Sequence, residues 1–306
     1  MSLKHKEEIT IWAFKDGKKG HEKQIDALIT EFSSIKNVNL FEFSTWKTHQ
    51  SRPDLIIGAG NSTHKHILTA KKEHPSAKSI VLMKPSLRPT QWFDAALVPD
   101  MDRFYLHKPK NVISTKGVLS KYSNEQTIPN TGLIVIGGKS RHYHFRKKVV
   151  NQQIEHLLNE EFKDYHWKIT TSPRSPNLDL PKHSGNAEFY SWKNTSENWM
   201  SDEISKSEIT FLTPESVSVL YEGLSTNTKV YVFHHEQHIV GQYGEKRKTK
   251  VTRNIDRLKK EGLIGYIDSS RYFFSRTVKD VDIIHPKKNK PLSESRRVVQ
   301  ELLEKL

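Results

Sequence analysis

Five segments of this chain carry residue types suited to phosphate and hydroxyl chemistry. The richest is 211–222 (FLTPESVSVLYE), where an apolar strand pattern meets a Pro-Glu-Ser turn and then a helix pattern. A helix that starts there offers unpaired N–H groups and a positive dipole end to an anion. Glu215, Ser216 and Ser218 stand at that start, and Glu222 follows almost two turns later, where a carboxylate accepts hydrogen bonds from sugar hydroxyls. Together they suggest a nucleotide site; an ordinary capped helix after a buried strand is the plainer alternative. Residues 137–141 (GGKSR) add Gly137, Gly138, Lys139 and Ser140, a set that suits a diphosphate through backbone N–H donors and charge, without the spacing of a Walker loop. Residues 170–176 (TTSPRSP) offer the Ser172 hydroxyl and the Arg174 guanidinium, which suits a phosphate or carboxylate or else packs on the flanking prolines.

The other two segments lie near the start of the chain. In 16–24 (DGKKGHEKQ), Gly17 and Gly20 permit a sharp turn or a close approach to a ligand. His21, or Asp16 beside it, is a candidate general base for a substrate hydroxyl. With 16 histidines in the chain, a solvated loop with a chance histidine is the alternative. In 58–64 (GAGNSTH), Gly58 and Gly60 form half a dinucleotide fingerprint that lacks its third glycine; Asn61 or Ser62 is read as a helix cap and Asn61 as a ligand contact. No metal site is expected: His234 and His235 are adjacent and diverge on a strand, and Asp100 and Asp102 alone are a weak cation pair.

Composition sets the wider limits. The 306 residues are enough for two ordinary domains, and 35% hydrophobic content allows real cores. There is no cysteine, which excludes disulfides, thiolate catalysis and thiolate-bound metals. No apolar run approaches the roughly 20 residues that cross a bilayer, and the first ten residues have no apolar signal core, so a cytoplasmic protein is expected. The net charge of +14 favours anionic partners. Residues 246–306 hold 17 Lys and Arg against 8 Asp and Glu, a difference of +9. The sequence has no recognised RNA-binding motif, so a nucleic-acid partner is not expected.

The elements that must position these residues alternate. Strand patterns at 8–14, 38–43, 54–58, 79–83 and 93–98 are separated by helical patterns after Gly20 and Asn61. Residues 121–132 are polar and turn-rich and read as a linker. The alternation restarts with strands at 133–136, 167–171, 189–192, 209–213 and 230–233, a helix at about 145–160, and an amphipathic helix over 293–306. Apolar runs ending at Gly or Pro indicate β-α units and parallel sheets, with ligands at the carboxyl ends of the strands.

In order, the motifs DGKKGHEKQ, GAGNSTH, LMKPSLRP, FDAALVPDMD, STKGVL, IGGKSRHYHF, TTSPRSP and LTPESVSVLYEG resemble the mitochondrial fission ELM1 family, which has many bacterial members. The resemblance covers roughly residues 10–240. It implies an α/β chain of two Rossmann-like domains facing a cleft, as in GT-B glycosyltransferases. The expected domains are 1–125 for an acceptor, 126–290 for a nucleotide-sugar donor, and a C-terminal helix over 291–306. It aligns Gly20–His21 with a Gly-His loop after the first strand, residues 137–140 with a Gly-Gly-Ser-type loop that here holds Lys139, and Glu222 with a ribose ligand. The implied activity is a metal-independent transfer from a nucleotide sugar without a cofactor, in cell-envelope glycan synthesis. The implied acceptor is lipid-linked or anionic, at the inner face of a membrane. A non-catalytic sugar-nucleotide binder or protein-interaction member, and a sugar-nucleotide epimerase, are the alternatives.

Overall fold

In the computed structural model, the described residues are 3–102, 104, 107–178, 183–238, 248–268, 282–287 and 290–306. The chain forms two compact units, 1–122 with 293–306, and 123–292. The helix expected to stand apart at the C-terminus is thus an integral part of the first unit.

The first unit is a six-stranded sheet: β1 (Glu8–Phe14), β2 (Asn37–Phe43), β3 (Leu55–Ala59), β4 (Lys78–Leu82), β5 (Ala95–Pro99) and β6 (Val112–Thr115). The order is β2-β1-β3-β4-β5-β6, and every pair is parallel. Alternation along β1 divides the core. Ile9, Ile11 and Ala13 pack on one face with α1 (Lys19–Ser33) and α7 (Glu294–Lys305). Trp12 and Phe14 pack on the other with α2 (His64–Glu73) and the aromatic residues Phe41, Phe43 and Trp46. The period-2 pattern fits a strand covered on both faces.

The helix α7 is held by more than its apolar stripe of Val298, Val299 and Leu302, all fully buried. Buried Glu31 of α1 accepts from Ser295 Oγ and Arg296 Nε, each at 3.3 Å. The Arg296 guanidinium also lies 3.9 Å from the Tyr122 ring centre. Glu294 accepts the Lys116 N–H at 2.8 Å. The buried carboxylate is therefore satisfied only when α7 is docked.

The second unit contains β7 (Ile128–Ile136), β8 (His166–Thr171), β9 (His183–Ser184), β10 (Ala187–Tyr190), β11 (Ser207–Leu212), β12 (Lys229–Val232), β13 (Gly265–Ile267) and β14 (Ile283–Ile284). Their order is β14-β13-β12-β11-β7-β8-β10-β9; the two outermost strands are antiparallel and the rest parallel. The α3 helix (Lys147–His156), continued by a π-turn over Leu157–Glu161, covers one face together with Trp167, Phe211 and Tyr231. Helices α4 (Trp199–Lys206) and α5 (Val217–Leu224) and the basic α6 (Lys250–Lys260) complete the unit.

The expected linker is only half a linker. Its second part, from Ile128, is the exposed start of β7. The turn-type residues Pro129 and Asn130 are absorbed by an irregularity, with Asn130 at φ 55° and the β11 register shifting between Ser207 and Ile209. A bulge of this kind lets turn residues sit inside a strand.

Leu302→Ala should destabilise the first unit by about 3 kcal/mol, the usual cost of truncating a fully buried leucine. Hydrogen exchange should show the β1 and α1 amides opening faster while the β7 and β11 amides keep their protection. Equal acceleration in both units would contradict the assignment of α7 to the first.

Candidate functional site

Each sheet reverses its strand order once, and the chemistry gathers at those reversals. In the first unit the chain leaves β1 for β2 on one side and returns to β3 on the other. In the second it leaves β7 for β8 on one side and later returns to β11 on the other. At such switch points the chain leaves neighbouring strands in opposite directions, and a ligand crevice forms at the strand carboxyl ends.

At the first reversal, the loop after β1 meets the loop after β3. His21 Nδ1 lies 2.9 Å from Asp16 Oδ2. Asp16 Oδ2 also accepts from Ser62 Oγ at 3.1 Å, and its Oδ1 accepts the Lys18 N–H at 3.2 Å. Burial alone would raise the Asp16 carboxyl, but the hydrogen bonds from His21, Lys18 and Ser62 hold it below the usual carboxylate range. An ionised carboxylate only accepts, so Nδ1 carries a proton, and whenever the ring is neutral its lone pair lies on Nε2. The Asp16 side chain is 3% exposed and that of His21 22%. This arrangement corrects the expectation that either residue can act as base: Asp16 is enclosed behind His21 and is its orienting partner.

The glycines here have distinct jobs. Gly60 has φ +86°, and a Cβ on it would lie 2.6 Å from His21 Nδ1. Only a glycine lets the ring lie across this backbone. A Cβ on Gly58 would strike Ile67 and Thr63 at 2.8 Å, so this glycine serves the packing of α2. Gly17 makes the turn, at φ +76°, and its N–H goes to Glu22 Oε1 at 3.1 Å. Gly20 lies within the first turn of α1, where its carbonyl accepts from Gln24 Nε2 at 3.0 Å. Asn61 caps no helix; its Nδ2 donates to Ser86 Oγ at 2.6 Å in the loop after β4.

At the second reversal, the loops after β7, β8 and β11 converge. Gly137 N–H donates to Thr213 Oγ1 at 2.7 Å, and Gly138 N–H to Glu215 Oε1 at 2.8 Å. Thr213 Oγ1 donates in turn to the same Glu215 oxygen at 2.9 Å. A Cβ on Gly137 would lie 1.9 Å from Glu215 Oε1, and one on Gly138 1.9 Å from the Arg174 carbonyl oxygen. The β8 loop is pinned from below by Ser175 Oγ, which donates to the Ile136 carbonyl at 2.7 Å, and Ser172 N–H donates to Ser175 Oγ at 2.8 Å. The expectation that both glycine N–H groups face a diphosphate is therefore wrong: the chain's own Thr213 and Glu215 use them. The groups left for an anion are Lys139 and Arg174, both exposed, and the hydroxyls of Ser140, Ser216 and Ser218. Ser140 Oγ already accepts the His142 and Tyr143 N–H groups, which leaves its O–H to donate. Ser216 is the N-cap of α5 with no side-chain capping bond, and Ser218 is exposed in the first turn.

Glu215 is the residue the sequence valued least and the structure uses most. It is 8% exposed, and its Oε2 is buried with no hydrogen-bond partner among the described residues. Burial pushes its carboxyl above the ordinary range, against the pull of Thr213, the Gly138 N–H and the nearby Arg174 charge. The signal in the sequence was the Thr-x-Glu spacing across the turn, two acceptors for two consecutive glycine amides. Glu222, by contrast, faces α4, where it accepts from Ser201 Oγ. Among the described residues, no hydrogen bond joins it to the glycine network. A cavity of about 310 Å³ lies at the opposite, amino end of this sheet, lined by Thr131, His166, Trp167, Lys168 and Glu203 among others. It is at the other end of the strands from the loops that follow β7, β8 and β11.

Two tests follow from this geometry. Glu215→Gln keeps an acceptor for the Gly138 N–H and removes the titration. A carboxyl raised on folding binds its proton more tightly in the native state, so native stability is lost as pH rises from its unfolded value through the raised one. The melting temperature of the wild type should therefore fall relative to Glu215→Gln as pH rises from below 4.5 to 7. A constant difference would show no burial of charge. Gly138→Ala places a methyl group against the Arg174 backbone, which cannot swing aside, and should cost about 1–3 kcal/mol by urea denaturation.

Comparison with known proteins agrees with this architecture. The solved structure of spinosyn forosaminyltransferase SpnP matches with a TM-score of 0.51 at 7% identity, over 97% of this chain and 90% of its own. The glycosyltransferase SnogD from Streptomyces nogalater matches with a TM-score of 0.50 at 10% identity, over 98% and 95%. A Listeria monocytogenes protein described as a UDP-N-acetylglucosamine 2-epimerase matches with a TM-score of 0.50 at 9% identity, over 98% and 88%. At such identities the likeness is one of fold: two parallel-sheet domains of the GT-B type. No curated protein matches the sequence significantly. The family model described as mitochondrial fission ELM1 matches residues 9–306, so the chain belongs to the mitochondrial fission ELM1 family.

Proposed function

We propose that this protein is a metal-independent, inverting glycosyltransferase that uses a nucleotide-activated sugar. The observation that carries the reading is the His21–Asp16 pair at the switch point of the first unit. An imidazole whose Nδ1 proton is held by a buried carboxylate has a fixed lone pair on Nε2, the arrangement a hydroxyl acceptor requires. In the reaction, His21 Nε2 takes the proton of the acceptor hydroxyl as its oxygen attacks the anomeric carbon. The bond from that carbon to the diphosphate oxygen breaks, and the nucleoside diphosphate leaves with the electron pair.

The second unit supplies the donor site. Lys139, Arg174, the Ser140, Ser216 and Ser218 hydroxyls and the α5 dipole stabilise the charge growing on the diphosphate. These fixed cations and dipoles do the work that a divalent ion does elsewhere. Glu222 is the ribose ligand in this reading. Its partner Ser201 is itself a hydroxyl, the donor type that a ribose offers in exchange. The acceptor is lipid-linked or anionic and sits at the cytoplasmic face of a membrane. No helix among the described residues is long and apolar enough to cross one. A second reading, a nucleotide-sugar binder without turnover, is favoured by the occupied Gly137 and Gly138 N–H groups, which leave fewer donors for the leaving group.

A thermal-shift panel of UDP-, GDP-, ADP- and CMP-sugars should find one that stabilises the wild type, with the shift diminished in Glu222→Ala. No stabilisation by any of them would sink both readings. With a turnover assay that reads free nucleotide, His21→Ala should lose about 10²–10⁴-fold, and Asp16→Asn about 10–100-fold through loss of ring orientation. Stabilisation without nucleotide release in the presence of glycan and lipid acceptors would support the binder. Isomerised sugar without any acceptor would identify an epimerase instead.

A further inference from the structure

The loop that follows β4 is built in an unusual way. Its backbone is held at both ends and at Ser86. Met83 N–H donates to the Leu97 carbonyl at 2.8 Å, and Asn111 Nδ2 donates to the carbonyls of Thr90 and Phe93, each at 2.8 Å. Ser86 is tied to Asn61, the neighbour of the glycine that lies against His21. Phe93 is 3% exposed, and Pro85 and Thr90 are buried. Met83 opens the loop at φ 69°, a strained conformation for a non-glycine residue. Yet this pinned loop carries Leu87 at 74% and Trp92 at 56% exposure, the two most exposed large apolar side chains among the described residues. Residues 83–93 also carry Lys84 and Arg88 and no acidic residue.

We propose that this loop is the surface by which the first unit docks on an anionic lipid bilayer, with Leu87 and Trp92 entering the headgroup region and Arg88 facing lipid phosphates, while the Lys84 ammonium, 4.4 Å from the Phe104 ring centre, adds to the positive field. An aromatic residue and an aliphatic one beside cations form the usual composition of a shallow interfacial anchor. A stable protein partner needs about 800 Å² on each side, more than two side chains on one loop present. A nucleic acid would engage the cations and the tryptophan face but leave Leu87 without a role. The proposal deepens the reading of a membrane-held acceptor: the Ser86–Asn61 bonds tie the docking loop to the loop that positions His21, so a docked bilayer lies beside the candidate base.

The test is sedimentation of the full chain with vesicles of equal parts phosphatidylglycerol and phosphatidylcholine, and with phosphatidylcholine alone. The wild type should bind the anionic vesicles, and Leu87→Ser combined with Trp92→Ser should lower the partition coefficient about tenfold or more. Ile35→Ser, which changes another half-exposed apolar side chain of the same unit, should leave binding unchanged. Tryptophan fluorescence should be quenched by brominated lipids in the wild type and not in Trp92→Phe. Failure of the wild type to sediment, equal binding by the double variant, or equal loss with Ile35→Ser would overturn the proposal. Quenching that survives in Trp92→Phe would do the same. So would an oligonucleotide that binds the wild type and the double variant alike and displaces the vesicles. Nucleotide-sugar stabilisation, read on the same variants, should be unchanged, so failure of the lipid assay and failure of the transferase reading are separate results.

Discussion

A parallel strand cannot return directly to its neighbour; it must cross over a face of the sheet. In both units of this chain the first crossover goes one way and a later one goes the other, so β1 and β3, and likewise β7 and β11, lie side by side and the loops that follow them face one another. Asp16, His21, Gly60 and Ser62 meet at one reversal, and Gly137, Gly138, Thr213 and Glu215 at the other. Residues distant in sequence become neighbours because the strands beneath them are hydrogen-bonded partners in register, Phe14 with Gly58 and Leu212 with Val135.

The two reversals solve opposite electrostatic problems. At the first, a buried carboxylate is kept ionised by three donors and fixes the orientation of an imidazole ring. At the second, a buried carboxylate has one oxygen satisfied by a backbone amide and a threonine and the other left without a partner among the described residues, and burial raises it. An unpaired buried carboxylate oxygen is costly when charged and tolerable when it carries a proton. The cost is balanced by what Glu215 does for the backbone: it closes the Gly138 N–H, which the Arg174 carbonyl packed against it could not. Cationic charge at Lys139 and Arg174 lies in the same loops, so an anion bound there would compete with Glu215 for the field of those side chains.

The strands were legible because their burial is two-sided and their apolar runs are short and bounded. β1, β3, β4 and β5 fall within a residue or two of their expected places. The β7 start was missed because Pro and Asn are read as turn residues, while here a bulge accommodates them in the sheet. The helix at 293–306 was legible, but its ownership was not. Docking α7 on the first unit depends on Glu31, Lys116 and Tyr122, residues far away in sequence. The site followed the same division. Glycines and charged residues in post-strand loops could be read off the chain, yet the sequence could not reveal that Gly137 and Gly138 are occupied by Thr213 and Glu215, or that Asp16 stands behind His21. Those facts depend on pairs of loops, and only the strand order brings such pairs together.

Shared architecture limits what can be argued from likeness, since transferases and an epimerase occur among the structures that resemble this chain. Local geometry is more discriminating. An imidazole with its Nδ1 committed to a carboxylate is suited to removing a proton from an approaching hydroxyl, and the glycine at φ +86° leaves room for that ring. Replacing Gly60 by alanine would strain the backbone at φ +86° and would also put a Cβ 2.6 Å from His21 Nδ1 and 3.0 Å from Asp16 Oδ2. The positive φ of Gly60 thus serves two ends at once: its carbonyl accepts from the buried Thr63 Oγ1 at 2.8 Å in the turn that leads into α2, and its bare Cα leaves the space in which the His21 ring lies.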